Sequence, residues 1–265
     1  MGLATSKLPK KLPIINSCFG VIFEEGQFPL RVYLVHNSPD PLGPNGELGK
    51  PEGCGLPGGG AKDNETPFQA AFREIKDEAG IITKVATRGG KDSQAGEILY
   101  EEKYVMDDAG KPALNKIYIF HLERTNSGFG KITETSETGR LILATLGSIL
   151  TMPLARKFAK NADGNIVVTV ENPEGIYFST RERIFWVAKY LDYNFYDLIP
   201  NLDDLLPKIR EEEVGWYIYG LLSEAVENKE KERERRAKLL RVPDEELLEK
   251  YAAWAGGSPN DLEKR

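Results

Sequence analysis

Residues 56–81 read LPGGGAKDNETPFQAAFREIKDEAGI, and the fold is decided by how this stretch is read. Leu56-Pro57-Gly58-Gly59-Gly60 makes a glycine corner, and the residues after it carry the start and stop signals of a short helix. Thr66 is the predicted N-cap. Pro67 takes the first helical position, and Gln69 stands three residues after the cap, the spacing of a capping box. Gly80 suits the left-handed residue that closes a helix. At about 100° per residue, Phe68, Ala71, Phe72, Ile75 and Ala79 share one flank, which is predicted to pack on a core.

Glu74, Asp77 and Glu78 stand at i, i+3 and i+4 and so form an opposing acidic face. Three carboxylates held that closely repel one another unless cations neutralise them. With no His or Cys among them, hard oxygen ligands favour Mg²⁺ or Mn²⁺ over zinc. A bare triplet of this kind is more often a solvated surface.

The spacing of the whole stretch weighs against that plainer reading. Glu65 follows Gly59 by six residues, and Arg73 and Glu74 follow Glu65 by eight and nine. From Gly59 to Ile81 the sequence resembles the Nudix box: G, five residues, E, seven residues, then R-E-hydrophobe-x-E-E-x-G-hydrophobe. The one departure is Asp77, where the pattern has Glu. Leu56-Pro57-Gly58-Gly59 also looks like the family's lead-in.

The resemblance implies an α/β fold, a Nudix-type α/β/α sandwich with a mixed sheet. It implies a Mg²⁺- or Mn²⁺-dependent hydrolase that splits a nucleoside diphosphate linked to another group, giving a nucleoside monophosphate and a phosphorylated partner. Glu74 and Glu78 are then the firmest metal ligands, with Asp77 beside them and the carbonyl of Gly58 as the backbone ligand. Arg73 is expected to pair with Glu65 and fix the helix, while Gly59 and Gly80 serve the turn and the helix end. The general base is either a box glutamate or a later one. Glu182 is the first candidate outside the box, with Glu171 and Glu174 as rivals.

Two other readings stand beside this one. A Nudix-fold binding or regulatory module would usually lose the box carboxylates, and this chain keeps them. A house-cleaning nucleoside triphosphate pyrophosphohydrolase predicts a tight base pocket. The family's subfamily labels do not choose the substrate. No proline stands near Glu97, Tyr100 is close to but not at the dinucleoside polyphosphate position, and no Ser-Gln-Pro-Trp run occurs. Phe19, Tyr33, Tyr104 and Tyr118 are candidates for stacking on a base, though such residues more often form sheet core.

Composition sets the outer limits. The chain has 265 residues, 40% of them hydrophobic and 29% charged, as expected of a soluble globular protein. A net charge of −6 argues against broad binding to nucleic acid, so an anionic substrate needs local cations. Cys18 and Cys54 fit a reducing, cytoplasmic setting and read as buried hydrophobes; His36 and His121 read as structural. No signal peptide is evident, although Gly2 and Ser6 match the loose myristoylation pattern.

Along the chain, a basic start is followed by strands at 14–23, 30–35 and 82–87, a Pro- and Gly-rich loop at 37–51, and a hairpin formed by 98–106 and 116–122. The Nudix domain is read as residues 1–227, with an insertion at 126–175. Within the insertion, Leu141–Leu154 is apolar but too short to span a bilayer, and is read as a packed helix, a lid or a dimer surface. As a lid it would bring Arg156, Lys157 and Lys160 to a phosphate. The run TRERIFWVAKYLDY resembles the strand that closes the Nudix sheet, with a helix following at 205–226. Residues 228–265 are a charged helical tail whose last helix, Asp244–Ala255, would dock through Leu247, Leu248, Tyr251 and Trp254. The expected partners are a nucleotide-type small molecule and a second copy of the chain.

Overall fold

Residues 66–80 form their helix from local signals. Thr66 accepts a hydrogen bond from the Gln69 amide at 3.2 Å, and the Gln69 side chain accepts one from the Thr66 amide at 2.9 Å. Gly80 closes the helix in a left-handed conformation (φ 64°), its amide bonded to the Lys76 carbonyl. The computed structural model describes residues 12–24, 29–39, 50–86, 97–106, 111–129, 138–163 and 166–239. The basic start with Gly2 and Ser6, most of the 37–51 loop, the hairpin turn and the Asp244–Ala255 helix lie outside the described residues.

The elements run in the order β1 (Ile14–Glu24), β2 (Arg31–Asn37), β3 (Gly53–Gly55), β4 (Gly58–Gly60), α1 (Pro67–Ala79), β5 (Ile81–Val85), β6 (Glu97–Met106) and β7 (Pro112–Phe129). They continue with β8 (Thr138–Thr145), α2 (Leu146–Thr151), β9 (Arg156–Lys160), β10 (Ile166–Glu171) and α3 (Phe178–Tyr190). Four helices follow: α4 (Phe195–Leu198), α5 (Leu202–Leu205), α6 (Glu211–Val214) and α7 (Trp216–Leu239). The main sheet is mixed. Its path is β3-β2-β1-β7-β5, with β4 also on β1, β6 on β7 and β8 on β2. β7 lies in the middle, parallel to β1 and antiparallel to β5 and β6, as its near-continuous apolar run predicts.

Alternation along the strands splits the core in two. Cys18 and Ile22 of β1, with Phe120 and Leu122 of β7, face Ala71, Ile75 and Ala79 of α1. Val21 and Phe23, with Ile117 and Ile119, face Ile184, Phe185 and Val187 of α3 and Ile218 and Leu222 of α7. Helices on both faces of one sheet make the α/β/α sandwich. Both cysteines are buried, and burial pushes the Cys54 thiol up to about 11.

Residues 178–190 depart from the sequence reading: they are helix, not the closing strand. Ile184, Phe185, Val187 and Ala188 are all buried, at i, i+1, i+3 and i+4, which is a helical stripe and no strand alternation. The expected helix at 205–226 is interrupted. Pro207 sits in a 3₁₀ turn, Gly215 (φ 89°) separates α6 from α7, and α7 runs through residue 228 to Leu239. Within 126–175, β8 pairs with β2 along seven registered positions and is therefore part of the sheet. α2 buries Leu146, Ile149 and Leu150 beneath α3, while β9 and β10 form a separate two-stranded sheet. No helix among the described residues is long and apolar enough to cross a membrane.

One buried cation ties this second layer together. Arg181, 1% exposed, donates to the carbonyls of Ile149 (3.2 Å), Glu213 (2.7 Å) and Met152. Burial pulls its pKa down to about 10, against the pull of Glu213. Arg181→Ala leaves these carbonyls without their donor, and the expected loss is on the order of 3 kcal/mol. Chemical denaturation should show it as a lower midpoint with an unchanged slope.

Candidate active site

The glycine corner is fixed by pairing rather than by side chains. β4 pairs with Ser17, Cys18 and Phe19 on the same edge of β1 that pairs with β2 further on at Phe23 and Glu24. Between these two pairings the Gly20 amide donates to the Pro57 carbonyl at 3.0 Å. Gly58 is held so close to β1 that a Cβ there would lie 2.2 Å from the Cys18 carbonyl oxygen and 2.6 Å from Phe19 Cα. Both obstacles are backbone, so only glycine fits.

Arg73 joins the corner to α1. Its guanidinium meets Glu65 through two hydrogen bonds, at 2.7 and 2.8 Å, Glu74 at 2.6 Å, and the Gly60 carbonyl at 3.0 Å. Glu65 also accepts from the Lys62 amide at 2.9 Å. The hydrogen bonds from Arg73 hold the Glu65 carboxyl down at about 2, and Glu65 in turn holds Arg73 well above its usual value. The Gly58 amide donates to Glu78 Oε2 at 2.8 Å, and the Glu74 carboxylate lies against Gly59.

These groups form one end of a cleft of about 550 Å³. Among the described residues its only acids are Glu74 and Glu78. Asp77, one position short of Glu78, is not part of the lining, so the acidic face narrows from three carboxylates to two. Glu182 is absent from it too. Its carboxylate lies near Gly215, and burial together with Glu101 raises its pKa, partly offset by Arg183. Glu171 pairs with Arg156, and Glu174 with Arg140, both away from the cleft.

No residue from 126–175 among those described lines the cleft, so the lid expectation gives way. Arg156 is bound to Glu171, and Lys157 stands 3.4 Å from Glu213. Of the four aromatic candidates, Phe19 lines the cleft. Tyr33 is buried, Tyr118 stacks on Phe120 in the α1-side core, and Tyr104 is 80% exposed.

The opposite end is built by residues that sequence reasoning passed over. Tyr177, Ser179, Thr180 and Arg183 come from the start of α3, and Lys50 and Lys103 add two cations. The start of α3 is strapped to β3: the Tyr177 amide donates to the Cys54 carbonyl at 3.0 Å, and the Cys54 amide to Gly175 at 2.7 Å. The Tyr177 hydroxyl donates to the Pro51 carbonyl at 2.8 Å. The sequence signal for them is the helical stripe at 184–188, which turns Thr180 and Arg183 to a shared side.

Residues 17–133 match the family model for the NUDIX domain, a span that covers the glycine corner, α1 and the sheet through β7. The match spans less than half of the chain and identifies those residues as a NUDIX domain. Among solved structures, the chain is similar to a MutT NUDIX hydrolase from Burkholderia pseudomallei, at 18% identity over 66% of this chain and 98% of that one, with a TM-score of 0.36. It is also similar to the NUDIX domain of Shewanella oneidensis NrtR complexed with ADP ribose, at 18% identity over 69% and 90%, with a TM-score of 0.38. At these scores the likenesses add nothing to the domain match. No curated protein matches the chain.

Two outcomes follow from this geometry. Gly58→Ala forces β4 away from β1 and should cost about 2 kcal/mol or more, read as a lower melting temperature. Because the Glu65 pKa is depressed from 4.5 to about 2, its pairing stabilises the fold fully above about pH 4.5 and is lost as the pH falls toward 2. The stability gap between wild type and Glu65→Gln should therefore close over that window, and ¹³C-detected titration should place the Glu65 carboxyl near the lower value.

Proposed function

We propose that this protein is a divalent-metal-dependent hydrolase that cleaves the diphosphate of a nucleoside-diphosphate-linked compound, yielding a nucleoside monophosphate and a phosphorylated partner. The observation that carries this reading is the meeting of Glu74, Glu78 and the glycine corner in one cleft, with the Gly58 amide 2.8 Å from Glu78. Among the described residues no trio of His, Cys, Asp or Glu is gathered as a metal cage. The donors that do meet are hard oxygens, those of Glu74 and Glu78, and such a pair suits Mg²⁺ or Mn²⁺, with the Gly58 carbonyl as the backbone ligand this reading adds. When bound, the ion supplies charge neutralisation for the diphosphate and a lower pKa for water.

The chain's own groups account for the remaining work. Arg73, through Glu65 and the Gly60 carbonyl, holds α1 and the corner in one arrangement, a positioning role. Glu74 accepts from Arg73 and Glu78 from the Gly58 amide, so the group that receives the proton of the attacking water is one of these two box glutamates, and Glu78 is the one to test first. The water oxygen bonds to phosphorus as the bond from that phosphorus to the bridging oxygen breaks. The bridging oxygen leaves on the second product.

The test is a panel of nucleoside diphosphate derivatives and nucleoside triphosphates with Mg²⁺ or Mn²⁺, the products identified by mass. Glu78→Gln should lower kcat by roughly 10²- to 10⁴-fold with its melting curve unchanged. Undiminished turnover in that variant would sink the assignment.

A further inference from the structure

The cleft has a cationic end that the chemistry at the box does not use. Arg183 lies in the cleft wall with its side chain only 10% exposed. A guanidinium has five donors, and a buried one normally satisfies them. Among the described residues Arg183 makes no hydrogen bond. Its closest acid is Glu101, 3.9 Å away and half exposed, and Glu182 also contributes to the field around it. Its guanidinium rests instead on the Phe19 ring, 4.8 Å from the centroid. Phe19 in turn abuts Gly58, so Arg183 is one ring removed from the glycine corner.

The start of α3 stands beside it. α3 has 13 residues, and its N-cap, Tyr177, provides no side-chain hydrogen bond. The first-turn amides of a helix have no partner within the helix and carry the positive end of its dipole. Two of the residues bearing them, Ser179 and Thr180, line the same cleft as Arg183, one turn further along. Lys50 and Lys103 complete this end, so three cations face the two box carboxylates in a chain whose net charge is −6.

We infer that Arg183 and the uncapped start of α3 form a phosphate-binding subsite, one that selects substrates carrying a phosphate beyond the scissile linkage. This deepens the proposed function and rests on it only for the claim that the bound molecule is the substrate. The planar fork of Arg183 pairs two phosphate oxygens, while the Ser179 and Thr180 amides take a third. Phe19 keeps the guanidinium flat and accessible from the cleft. A neutral distal sugar would leave these donors unpaired and so be disfavoured.

The experiment uses the full-length protein and inorganic pyrophosphate in EDTA, where hydrolysis is stopped and the box holds no metal. Calorimetry should show binding that weakens about tenfold or more in Arg183→Gln and is partly restored in Arg183→Lys, which keeps the charge but not the fork. Because Arg183→Gln could unfold, the same titration is followed on the wild type by amide NMR, with the Ser179 and Thr180 amides expected to shift. In turnover, Arg183→Gln should reduce the kcat/KM preference for a substrate with a distal phosphate over its neutral counterpart by a similar factor. Equal pyrophosphate binding in wild type and Arg183→Gln, or unmoved Ser179 and Thr180 amides, overturns the subsite. Turnover of the panel without such binding overturns it as well, yet leaves the hydrolase standing. Pyrophosphate binding that depends on Arg183 without any turnover keeps the subsite and removes the hydrolase.

Discussion

The guanidinium of Arg73 is the joint on which the cleft depends. It meets the loop through Glu65, the corner through the Gly60 carbonyl and the helix through Glu74, so no two of these can move without disturbing the third. Charge-assisted, forked hydrogen bonds are among the stronger polar contacts available to a protein. This set is half-buried, where water screens it less than on an open surface. The Glu74 carboxylate in the cleft is thus placed by an arginine that does not itself line it.

The sheet adds a second constraint. β1 gives one edge to two partners, β4 near its start and β2 near its end, and the glycine corner occupies the gap between them. The close passage of Gly58 over Cys18 and Phe19 follows from that gap. Backbone contacts therefore fix the corner, while side-chain contacts fix the helix. The carboxylates of Glu74 and Glu78 end up where the two systems meet.

Much of this end of the cleft could be read in the sequence because its causes are local. Thr66, Pro67, Gln69 and Gly80 specify the limits of α1 within fifteen residues, and the spacing from Gly59 to Glu78 specifies what faces the corner. Asp77 shows where that reading stops: sharing a helix face with Glu74 and Glu78 did not bring it into the cleft. The far end could not be read the same way. Its position comes from the bridge between Cys54 and Ile176, two residues with no local signal to announce their meeting. Read as a strand, the same run puts Thr180 and Arg183, three residues apart, on opposite faces, so nothing marks them as a pair.

The cleft's two ends lie far apart along the chain, Glu78 on one and Arg183 on the other, over a hundred residues later. During vectorial synthesis the carboxylate end has all its parts long before the arginine end exists. Until α3 leaves the ribosome and straps itself to β3, the nascent domain presents a groove with one bank only. The cleft is thus completed late in the life of each newly made molecule, when the last layer of helices has closed over the sheet.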